Sequence, residues 1–242
     1  MSIPRIIHYC WFGNKQKPQD VQYYLNGWQE VLKDYQIIEW NDANFVFNDN
    51  EFAKESYNKG IYAFVSDYAR LKVLYEYGGI YLDTDVEVKK KFDPLLNDPM
   101  FIGFMFDCNL GTAVIGVEKH NPFIKQLLSL YEDKQVEISP NNGLFTNFFL
   151  ENFADFKLNG KYQKLTRGIV VYPKEYFERA TFNKNIDYTD HHHKGSWRNR
   201  QDGITKKMAK LLLGKVLYGK IVHYKAVRIS PFYHTYVKHS RR

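Results

Sequence analysis

The chain has 242 residues, 44% of them hydrophobic and 25% charged, which suits one folded domain with a substantial core and excludes a disordered, low-complexity protein. The net charge of +7 is unevenly spread: residues 194–242 hold 13 Lys and Arg against one acid, Asp202, a balance of +12 that leaves −5 elsewhere. The basic tail has no recognisable base-reading motif, so the chain as a whole does not read as a nucleic-acid binder. Cys10 and Cys108 lack metal-ligand spacing and read as thiols of a reducing compartment. No apolar leader or bilayer-length apolar run is evident, so the default expectation is a cytoplasmic protein.

Ile3 to Tyr9 reads as a first strand, closed by Cys10-Trp11-Phe12-Gly13. Trp11 and Phe12 could cap the core or stack on a base. His8 reads as part of the strand. Asp20 to Lys33 is a helix with Val21, Tyr24, Leu25, Trp28, Val31 and Leu32 on one stripe, and Gln36 to Trp40 is the next strand. Strand, helix, strand is a βαβ opening with parallel pairing. Glu51 to Lys59 is a further helix ended by Gly60.

The chain is organised around residues 63–88, AFVSDYARLKVLYEYGGIYLDTDVEV. Phe64, Tyr68, Leu71 and Tyr75 fall on one helical face, and Gly78-Gly79 marks the helix end. Ile80 to Leu82 then forms a short buried strand. Asp83 and Asp85 follow at i and i+2, which in an extended segment point the same way. Two carboxylates on one side call for a cation, and hard oxygen ligands suit Mn²⁺ or Mg²⁺, which keep positions for substrate phosphates. The end of a buried strand is also where α/β sheets place ligands. Asp67 and Arg70, three apart on the preceding helix, form either a surface ion pair or a site in which Arg meets phosphate and Asp accepts sugar hydroxyls. An apolar strand before Asp-x-Asp also occurs in haloacid-dehalogenase-type phosphatases, but Glu87 stands where those carry Thr or Val.

Beyond this stretch, Met100 to Phe106 is an apolar strand, and Asn109 to Val117 is a glycine-punctuated loop and strand able to approach sugar or acceptor closely. Pro122 to Tyr131 is a helix. Asn141-Asn142-Gly143 is a turn before a helical start at Leu144 to Phe149, with Asn142 and Thr146 as either donor contacts or a turn and cap. Gly168 to Tyr172 is a late buried strand. His191-His192-His193 could supply an imidazole to a carboxylate metal site or form a polar loop.

The run from Tyr62 to Val88, with Ser66-Asp67-x-x-Arg70, the Gly-Gly-Ile-Tyr-Leu-Asp core and Asp83-x-Asp85, resembles the sugar-binding region of glycosyltransferase family 32. That family includes bacterial capsular-polysaccharide transferases and fungal mannosyltransferases, and the run is also similar to the glucosyltransferase domains of large clostridial toxins. The resemblance covers most of residues 3–197. It implies a GT-A type α/β fold: a Rossmann-like nucleotide-binding half with a mixed central sheet, plus a helical basic C-terminal extension. It implies transfer of a hexose from a UDP- or GDP-sugar to a saccharide or lipid-linked saccharide acceptor, with retention, in surface or capsular polysaccharide synthesis.

The site residues implied are Asp83, Asp85, Arg70 and Asp67 for catalysis. His8, Trp11, Phe12, Ser66, Asp67, Arg70, Asp83, Asn142, Ser196 and Trp197 are implied for the donor. Asp85, Asp83, His192 and His191 are implied for Mn²⁺ or Mg²⁺, with His192 placed ahead of His191. The alternatives are a metal-dependent phosphatase and a non-catalytic saccharide- or membrane-binding module. Residues 1–200 are expected to form the domain and 201–242 an extension. Within the extension, Ile204, Met208, Leu211 and Leu212 form an apolar stripe with Lys206, Lys207 and Lys210 elsewhere on the wheel, a pattern suited to an anionic membrane surface, to docking on a partner, or to covering the core with a solvated back.

Overall fold

The structure, a computed structural model, describes residues 2–132, 135–136, 141–193 and 204–241, and of residues 204–207 and 210 the backbone alone. The chain opens with strand β1 (Ile6–Cys10), helix α1 (Gln19–Val31), strand β2 (Gln36–Trp40) and helices α2 (Glu51–Asn58) and α3 (Tyr62–Tyr77). Then come β3 (Gly79–Leu82), β4 (Val86–Val88), β5 (Met100–Phe106), β6 (Asn109–Val117), α4 (Pro122–Ser129) and α5 (Asn142–Asn152). The last part holds β7 (Gln163–Lys164), β8 (Ile169–Tyr172), α6 (Lys174–Phe177), β9 (Thr189–His191), α7 (Ile204–Ile229) and α8 (Tyr233–Ser240).

Seven strands form one mixed sheet in the order β2-β1-β3-β6-β5-β8-β7. β1 pairs parallel with β2 and with β3, as the βαβ opening requires, while β3 pairs antiparallel with β6. This is the mixed α/β fold expected from the sequence. Alternate residues of the central strands enter opposite cores. Tyr81, Met100, Ile102, Ile169 and Val171 face α2 to α5, whereas Ile80, Leu82, Phe101 and Val170 face Trp28, Phe92 and Phe177. Both faces are covered, which is why these strands read as continuous apolar runs.

α3 is buried nearly all round rather than on a single stripe, because α2, α4 and the sheet surround it. It ends where Gly78 and Gly79 take φ of 67° and 104°. A Cβ on Gly79 would lie 2.6 Å from the Ile6 carbonyl oxygen, so only glycine lets β3 begin against β1 here. His8, fully buried, clamps this corner: its Nε2–H donates to the Gly78 carbonyl at 2.8 Å, and its Nδ1 accepts from the Trp40 indole N–H at 3.0 Å. His8 is therefore a structural tie between β1, β2 and the α3 end, and is withdrawn from the expected donor contacts. Phe12 is likewise withdrawn: it is buried edge-on against Phe45 and Phe47.

The glycines of β6 make room for protein rather than for a ligand. A Cβ on Gly116 would strike the Phe101 ring and one on Gly111 the Glu178 carboxylate. α7 is broken at Gly214, where φ is 69°. Its second half and α8 dock on the domain through buried Val227, through Phe232 and Tyr236 against the α3-side core, and through the His223–Asp107 contact of 2.9 Å.

Burial pulls the His8 imidazole down to about 4, against the opposing Gly78 carbonyl. The unfolded chain binds this proton near pH 6.5 and the folded chain only near pH 4. Stability is thus complete above pH 6.5 and falls by about 3 kcal/mol as the pH drops towards 4. Urea midpoints measured across that interval should show this slope, and His8→Asn should flatten it from a lower starting stability.

Candidate active site

The parallel strands β2, β1 and β3 end at one edge of the sheet, where the segments after Trp40, Cys10 and Leu82 gather. This is the edge at which α/β sheets bind ligands. Asp83 to Asp85 is not an extended continuation of β3, as alternation implied, but a tight turn. The Asp83 amide donates to Ala113, and the Val86 amide returns to the Asp83 carbonyl at 3.1 Å. The turn launches β4, which pairs antiparallel with β9 so that Val86 stands opposite His191. The His192 amide closes the junction on the Asp85 carbonyl at 3.0 Å.

That pairing carries a residue over a hundred positions away onto the Asp turn. His191 Nε2 lies 3.2 Å from Asp85 Oδ1, and Asp83, Asp85 and His191 each offer one ligand atom with all three within 4.8 Å of one another. Two carboxylate oxygens and one imidazole nitrogen fit Mn²⁺ or Mg²⁺ in number and type. His191 Nδ1 contacts the Glu178 carboxylate at 2.7 Å, and Glu178 is buried in the space that Gly111 leaves. Burial pulls the His191 ring down, but the carboxylates of Glu178 and Asp85 outweigh it and hold the ring well above its ordinary value. The two acids that hold a proton on this ring would equally favour a metal ion in its place at Nε2, with release of that proton.

His192, expected ahead of His191 at the metal, points elsewhere. Its Nε2 meets Glu87 at 3.1 Å and its ring packs against Tyr24. Successive residues of a strand face opposite sides, so β9 and its extension cannot send both rings to Asp85. Glu87, Asp190 and His192 make a second cluster, which Lys215 of α7 approaches at 3.6 Å from Glu87 and 3.4 Å from Asp190.

Behind the Asp turn lies Arg70, buried at 5% exposure. One terminal nitrogen reaches Asp67 at 2.9 Å and Asp83 at 3.2 Å, the other donates to the Thr112 carbonyl at 2.7 Å, and the guanidinium lies 4.5 Å from the Tyr81 ring centre. Asp67 also accepts from Asn141 Nδ2 at 2.8 Å, and Asn141 accepts from the Thr112 hydroxyl at 2.8 Å. Asp67–Arg70 is thus no surface pair but part of a buried network joining α3, β3, β6 and the start of α5. Burial, together with the Asp85 charge, pushes the Asp83 carboxyl up, and Arg70 opposes the rise.

Other expected residues fall near this edge with local partners. Trp11 is half-buried past β1, its indole N–H on the Lys15 carbonyl at 2.6 Å. The Ser66 hydroxyl bonds back to the Tyr62 carbonyl of its own helix. Asn142 donates to the Leu110 carbonyl, and Thr146 accepts from the Leu110 amide, so both fasten α5 to β6. Asn141, one residue earlier, is the member of that turn that reaches Asp67. Ser196 and Trp197 lie outside the described residues. Sequence reasoning missed Glu178, Thr112 and Asn141. Only the Asn141-Asn142 doublet offered a signal, and it did not say which side chain turns inward.

Residues 18–102 match the family described as "Glycosyltransferase sugar-binding region containing DXD motif". Inositol phosphoceramide mannosyltransferase 3 of Schizosaccharomyces pombe is 30% identical over 131 residues, covering 52% of this chain and 36% of that protein. A mannosyl phosphorylinositol ceramide synthase of Saccharomyces cerevisiae is 33% identical over 141 residues, covering 53% of this chain and 35% of that protein. An uncharacterized glycosyltransferase of Acanthamoeba polyphaga mimivirus is 27% identical over 206 residues, covering 77% and 78% respectively. Among solved structures, the PaToxG glycosyltransferase aligns over 62% of this chain and 69% of its own, at 18% identity and a TM-score of 0.49. The match spans about a third of the length of the two fungal relatives. Residues 18–102 are thus similar to the DXD-containing glycosyltransferase sugar-binding region, and Asp83-Thr84-Asp85 is the Asp-x-Asp triplet within that span.

Arg70→Leu should cost about 3–5 kcal/mol of folding stability, because it leaves Asp67 and Asp83 facing one another without their cation. Urea denaturation measures this, and an unshifted midpoint would show that the two carboxylates do not depend on Arg70.

Proposed function

We propose that the chain transfers a hexose from a nucleoside-diphosphate sugar, UDP- or GDP-linked, to a saccharide or lipid-linked saccharide acceptor in the assembly of a surface glycan. The observation that carries this reading is the convergence of Asp83, Asp85 and His191 at the carboxyl edge of parallel strands, backed by the buried Arg70–Asp67 pair. Breaking an anomeric bond to a diphosphate leaves growing negative charge on the leaving group, and its stabilisation is the main catalytic demand.

Asp85, Asp83 and His191 would hold Mn²⁺ or Mg²⁺, which supplies Lewis-acid neutralisation of the diphosphate. Glu178 fixes the His191 ring so that Nε2 faces Asp85, the arrangement in which a carboxylate behind an imidazole raises its basicity as a ligand. Arg70 holds Asp83 and Asp67 in place and adds fixed positive charge behind the turn. Asp67, oriented by Arg70 and Asn141, is placed to accept hydroxyl hydrogens of sugar or ribose. Trp11, half-buried just past β1, offers an aromatic surface at that edge for the base. The names of the fungal relatives specify mannose as the transferred sugar, which makes a mannosyl donor the first to try.

A panel of UDP- and GDP-hexoses with Mn²⁺ tests the proposal through donor hydrolysis and donor-induced thermal shift. One donor should respond and only with metal, and Asp85→Ala should lower its hydrolysis by about 10²- to 10³-fold. Equal donor binding by wild type and Asp85→Ala in the presence of Mn²⁺ would remove Asp85 from the metal site. Glu178→Gln should weaken Mn²⁺ binding about tenfold or more by calorimetry. Unchanged affinity would leave Glu178 a purely structural acid.

A further inference from the structure

The helix α7 presents the wrong face to water. After the break at Gly214, Leu217, Ile221 and Tyr224 recur at steps of four and three, which lines them along one side. Their exposures are 49%, 45% and 57%. Lys220, Lys225 and Arg228 are exposed along the same side, with the Arg228 guanidinium 4.4 Å from the centre of the Tyr224 ring. Before the break, Leu211 and Leu212 are exposed at 78% and 77%. The adjoining side of the helix docks, through Val227 and through His223 on Asp107, and Tyr224 and Arg228 border the cleft there with Tyr233 and Tyr236. The outward apolar stripe is therefore not a surface that the domain failed to cover by fraying, because the same turns are held by specific contacts behind it.

Contiguous apolar residues rimmed by charge mark an interaction surface. The rim here is of one sign: no acidic residue occurs between Gly203 and Arg242. A second copy of the chain docked by the same face would set like charges against each other, whereas an anionic lipid surface meets both the basic rim and the apolar stripe. No described helix is long and apolar enough to cross a membrane, so the contact would lie in the interface. We propose that the outward face of α7, centred on Leu217, Ile221 and Tyr224 and flanked by Lys220, Lys225 and Arg228, docks on an anionic lipid surface.

The docked helix is tied to the active-site strands. Lys215, one residue past the break, is 3.4 Å from Asp190 and 3.6 Å from Glu87, the neighbours of His191 and Val86 on the β9–β4 pair. Docking would hold the metal-site edge at a fixed height over the lipid, the geometry needed for an acceptor presented from that surface. This last step rests on the transferase reading, while the docking itself does not.

Flotation of the full chain with phosphatidylcholine vesicles, with and without phosphatidylserine, tests the proposal in the absence of any donor. Binding should need phosphatidylserine and should fall by about tenfold between low and high salt. The double variant Leu217→Asp/Ile221→Asp should lose about tenfold or more of the binding, and Lys220→Glu/Lys225→Glu should lose a similar share. Both should keep the wild-type circular dichroism and metal-dependent donor hydrolysis. Wild type failing to float with anionic vesicles, or floating no better than the apolar double variant, would overturn docking. A wild-type dimer by light scattering that Leu217→Asp/Ile221→Asp converts to monomer would assign the face to a second copy and also overturn it. Vesicle binding with no hydrolysis of any donor would leave docking standing while removing the transferase reading.

Discussion

A guanidinium shared between two acids in the interior is the interaction on which the site depends. Arg70 lies between Asp67 of its own helix and Asp83 at the end of β3, with the Thr112 carbonyl accepting a further N–H. Removing Arg70 would leave Asp67 and Asp83 facing one another without their cation, and removing either acid would leave the buried guanidinium one partner fewer. Because Arg70 is anchored on α3 and Asp83 on β3, the network also sets the position of the helix relative to the strand. The Gly78-Gly79 corner and the His8 clamp make that position reachable by turning the chain sharply between them.

The second constraint is the two-stranded pairing of β4 with β9. It is short, Val86–Val88 against Thr189–His191, yet it delivers His191 to Asp85 and sends His192 to Glu87. Glu178 then fills the space at Gly111 and fixes the first ring. The Asp turn, the imidazole and the acid behind it come from three separated parts of the chain, and a one-residue slip in the β4–β9 register, about 3.3 Å, would exchange one histidine for the other.

The C-terminal segment adds a third layer that is part of the domain in one sense and apart from it in another. Its inner side is bonded to Asp107, Asp190 and the Leu158 amide, and its outer side is apolar and basic. An amphipathic helix normally turns its apolar stripe to the core. Here Val227, Phe232 and Tyr236 do turn to the core beside the polar contacts, while Leu217, Ile221 and Tyr224 remain outside.

The sequence by itself determined the features that rest on local periodicity. The βαβ opening, the α3 helix ended by Gly78-Gly79, the buried strand after it and the acidic triplet at its end are all visible in residue spacing, because helices and strands repeat at 3.6 and 2 residues. Tertiary structure decided what spacing cannot encode. Alternation made Asp83 and Asp85 an extended pair, but the Ala113 carbonyl and the Asp83–Val86 bond fold them into a turn. Three adjacent histidines look equivalent in sequence, and strand pairing alone ranks them. Trp11 and Phe12 look alike as aromatics after a strand, and only the presence of Phe45 and Phe47 draws Phe12 inward while Trp11 stays at the edge. Glu178, Thr112 and Asn141 carry no local pattern at all, since their roles exist only where distant elements bring the His191 ring and the Asp67 carboxylate beside them.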